Sequence, residues 1–161
     1  MPRSLSLFCR SLGVIVAALA LYRFCVLPWR INRVLHTVEA RSRIALAVSD
    51  RERSAILARQ SIDDLSSIAG ASELDVNFHL MYASNARLLG RWNEALDHYN
   101  AALRADHRPE IYFQRGLTML EMGNPDAAVA DFVTTARFNP NLLDDMDYNL
   151  RERVRGLAGL K

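Results

Sequence analysis

Apolar side chains recur at helical spacing through most of the chain, and they follow one unbroken apolar stretch near the N-terminus. No charged residue occurs in residues 11–22, and accepting Arg23 extends the stretch to Leu27. A helix needs about 20 apolar residues, each rising 1.5 Å, to cross a bilayer. The segment 5–27 is long enough if Arg10 and Arg23 extend toward opposite membrane surfaces. The pattern therefore predicts a transmembrane helix that contacts the bilayer through residues 5–27.

The residues after this stretch favour an uncleaved anchor over residues 1–29. Pro28 and Trp29 are a helix breaker and an interfacial aromatic at the point where a membrane helix should surface. A cleaved signal peptide is the alternative, with Ala18, Leu19 and Ala20 as the small-residue cleavage pattern. Cleavage there leaves an apolar region near the short end of the range for signal peptides, so the anchor is the better interpretation.

The orientation of this anchor depends on two signals that oppose each other. More arginines follow the span than precede it, which favours a cytoplasmic C-terminal part. A short basic N-terminal tail, here with Arg3 and Arg10, is typical of a signal anchor whose remaining chain is exported. We place the chain in a bacterial inner membrane as a single-pass protein, with its soluble part on the periplasmic side.

Residues 30–70 read as a pair of helices. The first carries Ile31, Val34, Leu35 and Val38 on one side, continued by Ile44, Ala45 and Val48. Ser49 and Glu52 have the spacing of a capping box, which would start a second helix. That helix carries Ile56, Leu57, Leu65 and Ile68 on one side and ends near Gly70. We expect a helical hairpin that serves as a stalk and covers the N-terminal end of the domain that follows.

Residues 76–140 contain two similar units, which we place at 76–108 and 109–140. Gly90 and Gly123 lie 33 positions apart, and the same offset aligns further residues of like size: His79 with Tyr112, Ala83 with Gly116, Ala95 with Ala128, and Tyr99 with Phe132. Each unit reads as two helices joined by a short turn at its glycine. In the second turn Asn124 suits a helix N-cap and Pro125 the first helical position.

These residues resemble the tetratricopeptide repeat (TPR) family. The second unit keeps Tyr112, Gly116, Ala128, Phe132 and Pro140 of the family's pattern, and the first keeps Ala83, Ala95, Tyr99 and Ala102. The units depart from the pattern at Tyr82, Ala86, His107, Arg115 and Met119. The resemblance implies an all-α fold of stacked helix pairs that binds other proteins.

Two units alone leave both apolar ends of a repeat stack uncovered. The stalk can cover the N-terminal end. The C-terminal segment, residues 141–161, carries Leu150, Val154 and Leu157 on one helical face behind three aspartates that suit a helix N-terminus, Asp144, Asp145 and Asp147. We expect it to form a capping helix.

Composition and charge argue against nucleic-acid binding and against cysteine chemistry in the soluble part. The formal net charge is +2, and the arginines are spread along the chain, so the footprint of a nucleic-acid-binding protein is missing. Both cysteines, Cys9 and Cys25, lie in the apolar stretch, which leaves the remainder without a thiol for a zinc site or a nucleophile. Of the 20 Lys and Arg residues only Lys161 is a lysine, a bias that looks like GC-rich bacterial coding.

No catalytic, metal or cofactor site is predicted. His36, His79, His98 and His107 form no pair with ligand spacing on one helix. His79 falls on a core position of the first unit, and His98 and His107, each after an aspartate, are expected on the solvated surface. The sequence contains neither a phosphate-binding loop nor a nucleophile elbow. An enzyme is therefore less favoured than a protein-binding module.

In the TPR family, ligands usually lie on the concave surface formed by the first helix of each repeat. Carried onto this chain, the resemblance implies a partner-binding groove made of Asn77, Leu80, Ser84, Arg87, Glu110, Phe113, Leu117 and Leu120. Four of these residues are large and apolar, and a patch of that kind is normally covered, either by the chain's own helices or by a partner.

Two functional hypotheses follow. The chain is an adaptor or assembly factor that brings another protein to the membrane, or it is a permanent structural subunit of a membrane complex. Both place its partner, another protein, in or at the bilayer.

Overall fold

The computed structural model describes residues 3–72 and 75–160, with side chains from residue 12 onward. Its α-helices are α1 (Arg3–Leu21), α2 (Leu27–Ala47), α3 (Arg51–Ser66), α4 (Ala69–Ser72), α5 (Val76–Leu88), α6 (Trp92–Ala105), α7 (Pro109–Glu121), α8 (Pro125–Phe138) and α9 (Tyr148–Ala158). A π-helical turn at Tyr22–Val26 joins α1 to α2, and a 3₁₀ turn at Pro140–Leu143 follows α8. The described part of the chain contains no strand, so the predicted all-α class is confirmed.

The apolar N-terminal helix does not end at Pro28, contrary to the expectation of a helix breaker. In the π-helical turn the Leu27 N–H donates to the Tyr22 carbonyl, so the hydrogen-bond register widens just before the proline ring. Pro28 then lies in the first turn of α2, where a residue without an N–H is tolerated. The helix therefore continues without interruption from the apolar stretch into the polar part of the chain.

This helix is long and apolar enough to cross a membrane by length and composition, over Leu12–Ala47. None of its apolar stretch is buried against the rest of the protein. A signal sequence passes the same test, so the observation agrees with an anchor without deciding between the two. The side chains of Leu5 and Arg10, which the predicted span includes, lie outside the described residues, as does that of Cys9.

The α2–α3 hairpin packs its apolar side against α5. Val38, Leu65, Ile68 and Phe78 are buried together, and Ile31, Val34 and Leu35 pack against them, as the spacing predicts. Two expected contributors point outward instead, since Ile44 is 54% exposed and Ile56 is 47% exposed. Ala45 is buried as predicted, and Ile62 takes the core position on α3, because it lies about one helical turn from buried Ala58 and Leu65.

The start of α3 also differs from the expectation. Asp50, not Ser49, is the N-cap, and its carboxylate accepts hydrogen bonds from the N–H groups of Glu52 and Arg53 at 3.0 and 3.4 Å. The two residues are adjacent and both are good caps, so the capping-box spacing alone selects the wrong one.

The two predicted repeat units are present, as α5–α6 and α7–α8. Their turns are equivalent: Gly90 and Gly123 have φ of 71° and 80°, a left-handed conformation that glycine adopts without steric cost. In each turn the N–H after the glycine donates to the carbonyl five residues back, from Arg91 to Ala86 and from Asn124 to Met119. Asn124 also caps α8 by accepting from the Ala127 N–H, as predicted.

Small side chains let the helices of each unit approach closely. Ala83, Ala95, Ala102, Ala128 and Ala136 are fully buried, and the rings of Tyr99 and Phe132 fill the remaining space. At Gly116 an added Cβ would lie 2.7 Å from Cε1 of Phe132, so even a methyl group does not fit beside the ring as placed.

Two departures from the repeat pattern are explained by polar contacts. The Arg115 guanidinium, in place of an apolar residue, donates to both carboxylate oxygens of buried Asp131 at 2.7 Å and to Asn100 at 2.6 Å. Tyr82 donates from its hydroxyl to Glu94 at 2.8 Å. Bidentate, charge-assisted contacts such as that of Arg115 satisfy a buried carboxylate that would otherwise be costly.

The C-terminal segment closes the stack. Asp147 caps α9 by accepting from the N–H groups of Asn149 and Leu150, and Val154 is fully buried against α8. Leu150 packs against the same cluster. Leu157, expected on this face, is 56% exposed, and Ala158 packs there instead. The predicted capping helix is confirmed with this one correction.

The α2–α3 hairpin is stacked like a further repeat unit. Its second helix, α3, packs on the first helix of the next pair, α5, as α6 packs on α7 and α8 packs on α9. The hairpin predicted as a stalk therefore extends the repeat stack by one unit at the N-terminal end, and the apolar N-terminal helix runs directly into that unit.

A glycine pair tests the close approach of α7 and α8. Gly116→Ala should lower the free energy of unfolding by about 1–3 kcal/mol, because the methyl group displaces the buried Phe132 ring. Gly156→Ala is the matched control, since this helical glycine has open space around it and should gain about 0.5–1 kcal/mol. Urea unfolding followed by circular dichroism measures both. A shift of the same sign in the two variants would contradict the close contact.

Candidate functional site

Among the described side chains, a pair of histidines is the arrangement that bears most on catalytic or metal chemistry. Among the residues that the structure describes, no three His, Cys, Asp or Glu side chains are grouped so as to hold a metal ion. The structure nevertheless brings two histidines together, because α5 and α6 are paired. His79 Nδ1 and His98 Nδ1 lie 2.9 Å apart, with one ring donating and the other accepting.

This histidine pair lies in an aromatic stack. The ring of Tyr82 lies on His98 with centroids 3.9 Å apart and planes 9° from parallel, and Phe78 packs edge-on to His79. The expectation that His98 is solvated is therefore wrong: its neighbour Asp97 is exposed, but His98 itself is half-buried. Burial, and then the nearby His79, lower the pKa of His98, while Glu94 and Asp97 act in the opposite direction. Burial of His98 therefore favours the neutral form of its ring.

The eight groove residues predicted from the sequence fall into two neighbouring pockets, with one exception. Leu80, Ser84, Arg87 and Glu110 line a pocket of about 250 Å³ between the two units. Phe113, Leu117 and Leu120 line a second pocket of about 490 Å³ between α7 and the C-terminal segment. Asn77 lines neither and is exposed at the start of α5. We call the surface that carries both pockets the inner face.

Arg87 holds the first helices of the two units together. Its Nη1 lies 2.8 Å from Oε1 of Glu121, and its side chain is largely buried. The Nε atom of Arg87 is buried and has no hydrogen-bond partner within the described part of the protein. The ion pair joins α5 to the end of α7, two of the helices that form the inner face.

Sequence reasoning missed the contribution of α2 to this face. Leu46 lines the first pocket and is 57% exposed, although the sequence pattern assigns it to a stalk. The missing signal is the stacking of α2–α3 as a repeat unit, which places Leu46 in the helix equivalent to α5 and α7. Sequence spacing alone does not reveal it, because the 33-residue match begins only at the first unit.

The C-terminal segment lines the second pocket and partly covers its floor. Leu142, Met146 and Leu150 face Phe113 and Leu117 across the pocket, and all five side chains are half-buried. The Phe113 ring packs against Phe132, with centroids 5.8 Å apart. Leu120 is 36% exposed at the opening, and Asp145 and Asp147 stand on the rim. The chain's own residues therefore narrow the pocket without filling it.

Comparison with known proteins supports the fold. No protein-family model matches the chain, and no curated protein matches it. Among solved structures, the crystal structure of a thermophilic TPR protein from Thermus thermophilus is similar, with a TM-score of 0.62 and 24% sequence identity. The similarity covers 93% of this chain and 76% of that protein. It therefore extends beyond the two units found in the sequence, and it shows a TPR-like fold.

The histidine pair predicts that the stability of the fold depends on pH. The folded-state pKa of His98 lies below its ordinary value of 6.5, so the unfolded chain binds the proton more readily. The stability that comes from the neutral form of His98 is present above pH 6.5 and is lost as the pH falls from 6.5 through the lower folded pKa. The melting temperature should therefore fall between about pH 7.5 and 5.5. In His98→Gln this fall should be smaller, and an equal fall would assign it to other groups.

Proposed function

We propose that this chain is a membrane-anchored protein-binding module, acting as an adaptor or assembly factor for a membrane complex. The observation that carries the proposal is the second pocket of the inner face: it is lined mainly by apolar side chains and stays open beside a segment of the chain itself. An apolar opening of this size is suited to large side chains of another protein.

The rim of this pocket indicates the kind of partner segment that fits. Asp145 and Asp147 border the apolar side chains and are exposed, and Asp144 lies beside them outside the pocket lining. A segment with apolar anchors and a neighbouring Lys or Arg would meet both features. A strongly acidic segment would be repelled. The chain itself needs no cofactor, metal or nucleic acid for this role, and we assign it no catalytic residues.

We divide the chain by role, with an anchor at 1–29, a hairpin at 30–70, the two repeat units at 76–108 and 109–140, and the capping segment at 141–161. The apolar helix supports the anchor, because its side chains find no protein partner along the described apolar stretch. We further propose a bacterial inner membrane with the repeats on the periplasmic side, on the basis of the short basic tail before the span.

A permanent subunit of a membrane complex is the second candidate. One observation favours it: large apolar side chains are also exposed away from the inner face, with Phe138 at 69% and Ile56 at 47%. Such a surface is typical of a protein that stays covered. A subunit of this kind would remain bound after a wash in high salt and mild detergent, whereas an adaptor would release its partner.

Paired substitutions test the inner face. Leu46→Asp and Leu120→Asp should each abolish recovery of a partner when the full chain is purified from its native membrane in mild detergent. Both side chains are substantially exposed, so the melting temperature should change little. Ile56→Asp is the control, with a comparably exposed apolar side chain on α3 outside both pockets. Partner recovery that fails equally in all three variants would contradict a specific role for the inner face.

Removal of residues 1–29 tests the anchor. The shortened chain should leave the membrane pellet after extraction at alkaline pH and keep a strongly helical spectrum, because Ile31, Val34 and Leu35 still pack against α5. The full chain should remain in the pellet. A shortened chain that still pellets with membranes, while helical and unaggregated, would contradict the assignment of the anchor to these residues.

A further inference from the structure

We infer that one edge of the repeat stack rests on the lipid surface: the start of α2, with Trp29, Arg30 and Arg33, and the turn 67–72 beside it. The inference rests on the proposed anchor and adds the orientation of the domain. It follows from the continuity of the apolar helix with α2, which is itself part of the repeat stack.

The start of α2 has the side chains of a membrane–water interface. Trp29 is 61% exposed on the helix, directly after the apolar stretch. The Arg33 guanidinium lies 5.3 Å from the centre of the Trp29 ring, and Arg30 and Arg33 are both exposed. Tryptophan favours the headgroup layer, and arginine favours lipid phosphates. These residues therefore mark the depth at which the helix leaves the bilayer.

The turn between α3 and α5 is held at the same depth. The Arg30 Nη2 atom lies 3.5 Å from the carbonyl oxygen of Ser67. Ala71 and Ser72 lie across a shallow pocket from Pro28 and Ile31. Residues 67–72 contain no charged side chain, and the first acidic residue after them is Glu73.

Asp75, which follows this turn, is held within the fold. Its carboxylate accepts from the Phe78 N–H at the start of α5, where the helix dipole offsets its charge. The charge of Asp75 is therefore partly offset at the edge of the proposed contact.

The C-terminal end of α2 marks the edge of the stack that faces away from the membrane. Trp92 lines a pocket with Ala45 and Val48, next to the C-terminal end of α2. From Trp29 to the end of α2 at Ala47, a helix rises about 27 Å. The two tryptophans of the chain therefore lie at opposite edges of the stack, and the turn at Gly90 lies far from the lipid.

The charge distribution limits the contact to the α2 end of the stack. The connection between α8 and α9 carries exposed Asp144, Asp145 and Asp147, which an anionic lipid surface repels. Arg30 and Arg33 lie at the other end, next to the anchor. The proposed contact is therefore confined to the start of α2 and the turn 67–72.

The two tryptophans test this orientation in the full chain. Trp92→Phe leaves only Trp29 and Trp29→Phe leaves only Trp92, in vesicles of phosphatidylcholine and phosphatidylglycerol that contain a lipid with a nitroxide on its headgroup. Only protein that floats with the vesicles is measured. Trp29 fluorescence should be quenched several-fold more than Trp92 fluorescence, because only Trp29 lies at headgroup depth.

The outcomes separate the orientation from the anchor. Protein that does not float overturns both. Protein that floats with Trp92 quenched as strongly as Trp29, or with neither quenched, overturns the orientation and leaves the anchor in place.

A pair of labelled cysteines tests the turn directly, independently of the tryptophans. Gly70→Cys and Ser49→Cys are compared after Cys9 and Cys25 are replaced by serine, with a fluorescent label on the new thiol. Gly70 has open space around its Cα, and Ser49 is exposed in the turn between α2 and α3. The label at residue 70 should be quenched by the headgroup nitroxide and the label at residue 49 should not. The reverse order, or equal quenching, would overturn the proposed edge.

Discussion

The close approach of paired helices at Ala83 and Gly116 is the constraint on which the repeat stack depends. A small side chain at this position lets the second helix of each unit lie near the first, and the rings of Tyr99 and Phe132 then fill the volume between them. Once the spacing within each unit is set, the turns at the two unit glycines can close with the same hydrogen-bond pattern. The position of every inner-face side chain follows from that spacing, because the inner helices are held by their outer partners.

Two units with this packing still have two apolar ends, and the chain closes each end differently. At the C-terminus a short helix with a buried Val154 ends the stack, and its connection supplies one wall of the larger pocket. At the N-terminus the α2–α3 hairpin closes the stack as a further repeat unit. Since α2 is also the continuation of the apolar helix, the same residues cap the domain and join it to the proposed anchor. A flexible linker would leave the domain free to rotate, whereas a shared helix restricts it.

The features that could be predicted from the sequence are those that depend only on neighbouring residues in the chain. The turn glycines and the Asn124 cap depend on a few neighbouring positions, and both were found. The Asp50 cap was missed because two good caps are adjacent. The contacts of Arg115 and of His98 join different helices, so their side-chain directions depend on the packing. The place of Leu46 on the inner face was not predicted, because it depends on the stacking of α2–α3 against the two repeat units.

The inner face is formed by side chains from three parts of the chain that are distant in sequence. The α2 helix contributes Leu46, the two units contribute Leu80, Leu117 and Leu120, and the C-terminal connection contributes carboxylates on the rim. The ion pair of Arg87 with Glu121 links α5 to α7, and the pockets are present without a partner. A preformed pocket loses less conformational entropy on binding than a mobile one, which favours a small number of apolar anchors over a large flat contact. Under the proposed function, the face is therefore better suited to a short segment with one or two large side chains than to a broad protein surface.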